Sequence, residues 1–381
     1  MSVAPTWAVG TGRDQPVLVV ISLRGAADGM SLVVPHGDPA YYRARPSIAV
    51  AHEVLVRPDH YFGLHPALSA LAPLWDEGRL AAVHATGLPV VNRSHFAAME
   101  EVEDAQIGSA TRSGWLNRLL GQTPDLAPTA GVSMRSAVPP TSLFGDVPTI
   151  SVSSTRGVQI KGVSGRDRRH VRRRSLNRMW AAQTGPMGQA VRGAMDVADR
   201  FGSAGAEETP RAIYPRSDLG QALSGVASMV RGRVGARVVT VDTGSWDMHT
   251  NIGKPSGGPL ARSAQDLGDS IAAFFGDLGP LGEHVTVVTL SEFGRRVQEN
   301  ASRGLDHGWG NVMFVAGAGV EGGCYLGRWP GLEDAAPADL TVTTDYRSVL
   351  AEIVASRFPG ASMSAVFPGF VREHVGVMEG Q

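Results

Sequence analysis

The stretch PVLVVISLRGAADGM, residues 16–30, decides the fold class of this chain. Its apolar run does not alternate with polar residues and ends in a glycine-containing turn, which is typical of a strand buried on both faces of a parallel sheet. Four further stretches repeat the pattern, with helix-compatible segments between several of them: RLAAVHATGL (79–88), ARVVTVDTGSWD (236–247), HVTVVTLSEFG (284–294) and NVMFVAGAGV (311–320). We therefore predict a doubly wound α/β fold with a mostly parallel central sheet flanked by helices.

The composition is that of a globular protein with enough apolar material for a large core. Hydrophobic residues make up 43% of the 381 positions and charged residues 19%. The formal net charge is -1, so the charge balance favours neither nucleic acid nor an anionic membrane as a partner. Cys324 is the only cysteine, which excludes an intrachain disulfide and every multi-cysteine metal site. The start of the chain lacks the basic and apolar regions of an export signal. As written it predicts a cytoplasmic protein, and an exported one if a signal is missing from this N-terminus.

Residues 121–235 differ in character from the strand-bearing parts on either side. They contain loops with proline and serine, the basic segment GRDRRHVRRRSLNRMW (165–180) and a helical stretch rich in alanine and glycine. We expect one domain over residues 1–381, with 121–235 as an insertion or helical cap. The arginine cluster at 168–179 could bind phosphate groups or nucleic acid, although such a run in a neutral chain is usually the solvated face of a helix.

Polar side chains come directly after several of the apolar runs. They are Asp28, Asp242, Asp247, Glu292 and Arg295. In open α/β sheets, ligands bind in the crevice outside the carboxyl ends of the strands. We therefore expect these side chains to converge on one edge of the sheet and to form a site. For Glu292 and Arg295, an internal ion pair is the alternative.

Two motifs carry side chains that transition metals prefer as ligands. In WDMHTN (246–251), Asp247 and His249 are two residues apart and so lie on the same side of an extended segment. A carboxylate with an imidazole suits zinc, manganese or iron. In LDHGWGN (305–311), His307 stands beside Gly308 and Gly310, which allow close approach of the backbone to a ligand or metal. Each motif alone is also compatible with an ordinary hydrogen-bonding histidine or a turn.

Two residues are predicted to begin helices. Asp345 is an expected N-cap near the end of the chain. Ser94, in VVNRSHF (90–96), is a good N-cap as well, and that role needs no function. A helix N-terminus also favours an anion and would lower the cost of ionising a serine hydroxyl next to a metal. The two roles of Ser94 can coexist.

Seven motifs stand in a fixed order across nearly the whole chain: LRGAADGMSLVVP, NRSHF, SGWLNRLL, WDMHTN, SEFGRRVQEN, LDHGWGN and TTDYRSVLAE. In this order they resemble the bacterial family known as domain of unknown function 1501, which is grouped with the alkaline-phosphatase and sulfatase-like superfamily. The resemblance implies an alkaline-phosphatase-like fold and a metal-dependent hydrolase that acts on phosphate or sulfate esters.

The resemblance also implies roles for individual positions. Asp28 matches the first aspartate of the superfamily pattern, Asp247 with His249 an Asp/His pair, and His307 the final histidine. Glu292 falls where a metal-binding aspartate is expected, and Ser94 where the nucleophile stands. The implied metal ligands are Asp28, Asp247, His249, Glu292 and His307, and the implied catalytic residues are Ser94, Glu292 and Arg295.

Two departures from the superfamily pattern bear on the metal. Phe293 occupies the position of a metal-binding histidine, and Asp247 and His249 are closer in sequence than the usual pair. Because phenylalanine cannot ligate a metal, we expect one divalent ion, zinc or manganese, rather than two, with His95 as a candidate further ligand.

The implied substrate is a small anionic ester, which Arg24, Arg93 or Arg295 would clamp. Neither nucleic acid nor a membrane is expected as a partner. The main alternative is a non-catalytic binding or assembly protein on the same fold, with a degenerate metal site. A phosphate- or nucleic-acid-binding module built on the arginine cluster is the third hypothesis.

Overall fold

A computed structural model describes residues 15–123, 126–136, 138–155, 158, 171–206 and 209–380 of the chain. The strands are β1 (Val17–Leu23), β2 (Val33–Val34), β3 (Gly63–Leu64), β4 (Leu80–Gly87), β5 (Gly131–Met134), β6 (Ile150–Val152), β7 (Val238–Thr243), β8 (Val285–Leu290), β9 (Asn311–Gly317), β10 (Cys324–Leu326) and β11 (Thr344–Asp345). The α-helices are α1 (Gly29–Leu32), α2 (Pro39–Ala44), α3 (Ala72–Asp76), α4 (His95–Asp104), α5 (Trp115–Leu120), α6 (Val171–Ala181), α7 (Pro186–Ala206), α8 (Asp218–Arg231), α9 (Pro259–Leu278), α10 (Tyr346–Arg357) and α11 (Met363–Val366). Short 3-10 helices cover His52–Val54, Pro66–Leu71, Thr141–Leu143 and Gly279–His284.

A large mixed sheet organises the chain. Its strands lie in the order β10, β4, β9, β8, β1, β7, β5, β6, and β11 pairs with the end of β4. All pairs in this sheet are parallel except those of β9, which runs antiparallel to both β4 and β8. A separate antiparallel pair joins β2 to β3. The α/β prediction is confirmed, and β9 makes the sheet mixed.

The direction of β9 follows from the loop before it. Residues 291–310 connect β8 to β9 without a helix, so the chain stays at the carboxyl edge of β8 and turns back into the sheet. A parallel strand would need a crossover to the opposite edge. Because β9 is buried along its whole length, its apolar run has the same appearance in either direction. The loop 291–310 consequently lies at the edge of the sheet where ligands bind in α/β folds.

Both faces of the sheet are covered, as the continuous apolar run of β1 predicts. Val19 and Ile21 belong to the core that includes the buried faces of α8 and α9. Leu18 and Val20 belong to the core that includes α4, α5 and α10. Successive side chains of a strand point to opposite faces, so a strand between two helical layers is apolar at every position.

The range 121–235 contributes directly to the sheet. It contains β5, which pairs with β7, and β6, which pairs with β5, as well as α8 on one face of the sheet. A cap formed by α6 and α7 stays a prediction. Residues 168–170 of the arginine cluster lie outside the described residues, and residues 171–179 belong to α6, which has no buried side chain.

One of the two predicted N-caps forms its capping hydrogen bond. Asp345 caps α10 as predicted, with its carboxylate accepting a hydrogen bond from the backbone N–H of Arg347 at 2.9 Å. Ser94 stands at the N-cap position of α4, but its side chain forms no capping hydrogen bond. In the described ranges, no helix combines the length and apolar character that crossing a membrane requires.

Candidate metal centre

Four side chains meet at the carboxyl edge of the sheet. Asp247 and His249 lie in the segment after β7, His307 lies in the loop 291–310, and His95 is the first residue of α4, which follows β4. The strands β4, β7 and β8 run in the same direction, so their carboxyl ends lie at one edge. We call His95, Asp247, His249 and His307 the histidine cluster.

The ring nitrogens of the histidine cluster point at one another. His307 Nε2 lies 3.0 Å from His95 Nε2 and 2.9 Å from His249 Nε2. Asp247 Oδ1 lies 2.9 Å from His249 Nε2 and 3.4 Å from His307 Nε2, and Asp247 Oδ2 lies 3.5 Å from His95 Nε2. Among the described residues, His95, Asp247 and His307 form a triad whose ligand atoms all lie within 4.8 Å of one another.

The outward nitrogens of two rings show where their protons are. His307 Nδ1 lies 3.0 Å from the carbonyl oxygen of Arg93, and a carbonyl oxygen can only accept, so Nδ1 is the donor. His95 Nδ1 lies 2.7 Å from Glu292 Oε1 and donates in the same way. A neutral imidazole with its proton on Nδ1 presents a lone pair at Nε2. In that form the two rings would direct lone pairs at the carboxylate of Asp247, which is the arrangement of metal ligands oriented by outer partners.

His249 is held less tightly than the other two rings. Its side chain is 42% exposed, and its Nδ1 lies 3.5 Å from Asp306 Oδ1. Asn300 donates to the same oxygen of Asp306 at 2.9 Å. His249 therefore presents its Nε2 to the triad from the more open side of the site.

Local charges favour the forms of Asp247 and His307 that bind metal ions. Burial raises the pKa of Asp247, but the hydrogen bond and charge of Arg295 outweigh this and hold that pKa below its ordinary value. Burial lowers the pKa of His307, and the neighbouring charge of Arg295 adds to the effect. Asp247 is consequently a carboxylate and His307 a neutral imidazole near neutral pH, as metal ligation requires.

Arg295 lies behind Asp247 and connects three loops. Its side chain is 1% exposed, and it donates to Asp247 Oδ1 at 2.7 Å. It also donates to the carbonyl oxygens of Gly25, Ala26 and Leu305 at 2.6, 2.7 and 2.9 Å. A guanidinium with so many buried acceptors is a positioning group, and the predicted catalytic role of Arg295 stays a prediction.

Glu292 lies behind His95. Its side chain is 3% exposed, and Oε1 accepts hydrogen bonds from His95 Nδ1 and from the backbone N–H of Gly25, the latter at 2.8 Å. The hydroxyl of Ser291 donates to Oε2 at 3.2 Å. The structure thus gives Glu292 the place of an orienting partner of a ligand. Glu292 and Arg295, for which the sequence left an ion pair open, each pair with a different residue.

Asp28, which the resemblance implies as a metal ligand, is not brought to the histidine cluster. It is 2% exposed, and the Arg45 guanidinium holds both of its oxygens, at 2.5 and 3.0 Å. Arg45 also donates to the carbonyl oxygens of Arg296 and Val297. A carboxylate satisfied in this way by a buried cation offers no free oxygen to a metal. The sequence carries no local signal for this pairing, because Arg45 lies at the end of α2, 17 positions after Asp28.

The family model described as "Protein of unknown function (DUF1501)" matches residues 75–352. The chain belongs to this family. All four residues of the histidine cluster lie within the matched DUF1501 region, whereas Asp28 and Arg45 precede it. A comparison with curated proteins gave no match.

Phe293 packs its ring against two members of the cluster in this DUF1501 chain. Its ring centroid lies 5.0 Å from that of His95 and 4.8 Å from that of His307. The side chain is 2% exposed. Phe293 thus fills space beside the ligands with an apolar ring, which can support their orientation but cannot bind a metal.

Gly308 and Gly310 lie in close contact with neighbouring backbone. A Cβ at Gly308 would lie 2.3 Å from the backbone of Arg295, and one at Gly310 would lie 2.6 Å from the carbonyl oxygen of Leu340. Both positions therefore require glycine because the strand edge and the neighbouring loops are in direct contact there. The prediction that these glycines admit a ligand or metal stays a prediction.

The predicted anion clamps are all engaged by acidic side chains. Arg24 pairs with Glu103 and with Asp242. Arg93 pairs with Asp339. Arg295 pairs with Asp247, as described above. Anion binding at this edge would therefore depend on charge supplied from outside the chain.

A cavity of about 720 Å³ opens beside the cluster. Its lining includes His95, Asp247 and Glu292, together with Phe96 and Met99 of α4. Two of the candidate metal ligands, His95 and Asp247, are therefore accessible to a small molecule from this cavity.

Proposed function

We propose that this protein is a metal-dependent hydrolase of phosphate or sulfate esters, with one divalent ion held by His95, Asp247 and His307 and completed by His249. The observation that carries the proposal is the set of inward-facing acceptors. With their protons on Nδ1, neutral His95 and His307 would direct lone pairs at each other and at Asp247 over 3.0 to 3.5 Å, and a divalent ion among them would offset that repulsion.

The donor set suits a borderline transition metal. Three imidazoles with one carboxylate fit zinc or manganese better than magnesium or calcium, which prefer all-oxygen sites. A divalent ion bound there would polarise an ester oxygen and lower the pKa of a coordinated group.

The outer partners have defined tasks in this proposal. Glu292 keeps the proton of His95 on Nδ1, so that Nε2 has a free lone pair to bind the ion. Arg295 holds Asp247 in its ionised form. Both are buried, which keeps water from competing for their hydrogen bonds.

Ser94 is the candidate nucleophile. It immediately precedes His95, is exposed, and lacks the capping hydrogen bond that would occupy its hydroxyl. The helix that begins beside it, α4, has ten residues, and its N-terminal N–H groups favour negative charge near this hydroxyl.

An alkaline-phosphatase-like fold is part of the same proposal. It is supported by the order of the motifs and by a site at the carboxyl edge of a sheet with helices on both faces. Phe293 and the closed pair of Asp28 with Arg45 favour one ion rather than two.

The same two features favour one alternative function. A site with one metal and no second cation could serve a binding or assembly protein that performs no hydrolysis. Both functions require the metal, so metal content does not distinguish them. Ester turnover does, because only the hydrolase cleaves an ester.

The first experiment measures metal content. Protein loaded with Zn²⁺ or Mn²⁺ and dialysed is analysed by mass spectrometry, together with His307→Ala and with His60→Ala as a control. His60 is 91% exposed and lies outside the cluster. We expect the wild type and His60→Ala to retain about one ion per chain and His307→Ala to lose it. Equal metal content in all three proteins would reject the site.

The second experiment measures turnover. Nitrophenyl phosphate monoesters, phosphate diesters and sulfate esters are tested with each metal, for the wild type and for Ser94→Ala. Turnover that requires both the metal and the His307 side chain supports the hydrolase. Retained metal without any turnover would favour the non-catalytic alternative.

A further inference from the structure

The cavity beside the histidine cluster contains an excess of acidic side chains. Among the described residues that line it, Arg24 and Arg112 are cations, and Glu100, Glu103, Asp247 and Glu292 are carboxylates. A bound divalent ion would balance that excess but would leave no net positive charge. A ligand with two negative charges would therefore enter a cavity that offers it little electrostatic attraction.

Neither arginine of the cavity is available to clamp an anion. Arg24 donates to Glu103, which also accepts the backbone N–H of Thr141 at 2.7 Å, and to Asp242 at 3.2 Å. Arg112 pairs with Glu100, which lines the same cavity. Recruiting either arginine for a ligand would break an existing ion pair, which reduces the gain from the new one.

Two apolar side chains also line the cavity. Phe96 follows His95 on α4 and is 92% exposed, although phenylalanine is usually buried. Met99, one turn further along α4, also lines the cavity and is 6% exposed. An aromatic or aliphatic group that filled the cavity would cover the exposed ring of Phe96 and would contact Met99.

We propose, on the basis of the metal site proposed above, that this cavity binds a monoanionic ester with an apolar group, in preference to a dianionic phosphate monoester. The shared chemistry is one negative charge at the ion and an aromatic or aliphatic group against Phe96. Sulfate monoesters and phosphate diesters both have this chemistry.

The test measures binding rather than turnover, so it applies to an inactive protein as well. Zn²⁺-loaded wild-type protein is titrated calorimetrically with benzylsulfonate, with the monoethyl ester of benzylphosphonate and with benzylphosphonate itself. The first two mimic a sulfate monoester and a phosphate diester, and the third is a dianion above its second ionisation. Methanesulfonate serves as the monoanion without a ring.

We expect at least one benzyl monoanion to bind more tightly than benzylphosphonate by about tenfold, and methanesulfonate to bind about tenfold more weakly than benzylsulfonate. The benzyl monoanion that binds more tightly shows whether the site prefers sulfate monoesters or phosphate diesters. Tighter binding of the dianion, or binding of none of the probes to metal-loaded protein, would overturn the proposal. Loss of the metal itself would overturn the proposed function as well, and the metal analysis distinguishes that outcome.

Two surface variants separate the contribution of the ring from that of the charges. Phe96→Ala should weaken the benzyl monoanions about tenfold and leave methanesulfonate unchanged, with Ile213→Ala, another exposed apolar residue, as the control. Glu100→Gln releases Arg112 and should strengthen dianion binding about threefold to fivefold. Glu77→Gln, which breaks the surface pair with Arg79, is its matched control. An unchanged preference in both Phe96→Ala and Glu100→Gln would contradict the assignment of this cavity.

Discussion

Asp28 and Asp247 both follow parallel strands at the same edge of the sheet, but their surroundings differ. Asp28 is 2% exposed, and the Arg45 guanidinium holds both of its oxygens. The side chain of Asp247 is 48% exposed, and it has Arg295 on one side and three imidazole nitrogens on the other. We call the pair of Asp28 with Arg45 the closed region, because the two charges satisfy each other. We call Asp247 with the three histidines the open region, because several potential acceptors face one another there.

The difference shows what makes a carboxylate at a strand end a ligand. Asp28 has exchanged its hydration for a bidentate bond to a buried cation, so a metal would have to displace that cation. Asp247 directs Oδ2 at His95, whereas Oδ1 lies near His307 and accepts from Arg295. Both rings have an Nδ1 hydrogen bond on the side away from Asp247. A metal would satisfy these acceptors without breaking an existing ion pair.

Removing the cation from the closed region should have the largest effect. Arg45→Ala leaves a buried carboxylate without a partner, and we expect it to lower the free energy of unfolding by about 3–5 kcal/mol, measured by urea denaturation. Arg43→Ala breaks an exposed pair with Asp334 and should cost about 1 kcal/mol or less. Similar losses in the two variants would mean that Asp28 does not depend on Arg45 as its buried partner.

Adding a metal tests the open region. For protein stripped with a chelator, Zn²⁺ at a hundred times its dissociation constant should raise the free energy of unfolding by about 2.7 kcal/mol. His249→Ala should reduce this gain, whereas His60→Ala should retain it. A gain of the same size in His307→Ala would place the ion elsewhere.

Changing the outer partner of a ligand should have a smaller effect. Glu292→Gln keeps an acceptor for His95 but removes the negative charge, so we expect zinc affinity to fall about tenfold, or about 1.4 kcal/mol. Glu299→Gln is the matched control, because Glu299 accepts hydrogen bonds from Ser47 and Ile48 and contacts no imidazole of the cluster. Equal affinities in the two variants would exclude an orienting role for Glu292.

Acid should weaken the closed region through His65. This side chain is fully buried, and burial lowers its pKa from 6.5 to about 4, although the charge of Asp28 acts in the opposite direction. The unfolded chain therefore binds the proton first, and stability that is complete above pH 6.5 is lost as the pH falls towards 4. We expect this residue to account for a loss of about 1 kcal/mol over the first pH unit below 6.5.

His65→Asn isolates that contribution. Asparagine can accept the backbone N–H of Ala67, which His65 Nδ1 accepts at 3.1 Å, but it does not titrate. The free energy of unfolding of His65→Asn, measured in urea, should depend less steeply on pH than that of the wild type. Substitution of the exposed residue in His60→Asn should leave this pH dependence unchanged. Parallel pH profiles for the wild type and His65→Asn would contradict a neutral buried His65.

The sequence by itself determined the features that depend on local composition. The apolar runs of β1, β4, β7, β8 and β9 specify buried strands because consecutive apolar side chains on both faces of a strand must avoid water. Asp345 specifies the start of α10 because a cap needs only the next few backbone N–H groups. Asp247, His249 and His307 were predicted as ligands from their residue types, and the structure brings them together.

Only the tertiary structure decided how polar groups were paired. The sequence does not show that β9 runs backwards, that Arg45 holds Asp28, or that Glu292 lies behind His95. Each of these depends on the direction of a loop or side chain in space, and partners as far apart as His95 and His307 have no local signal that links them. Burial can be read from composition because it is a property of one segment, whereas a ligand set is a property of several segments that meet only in the folded chain.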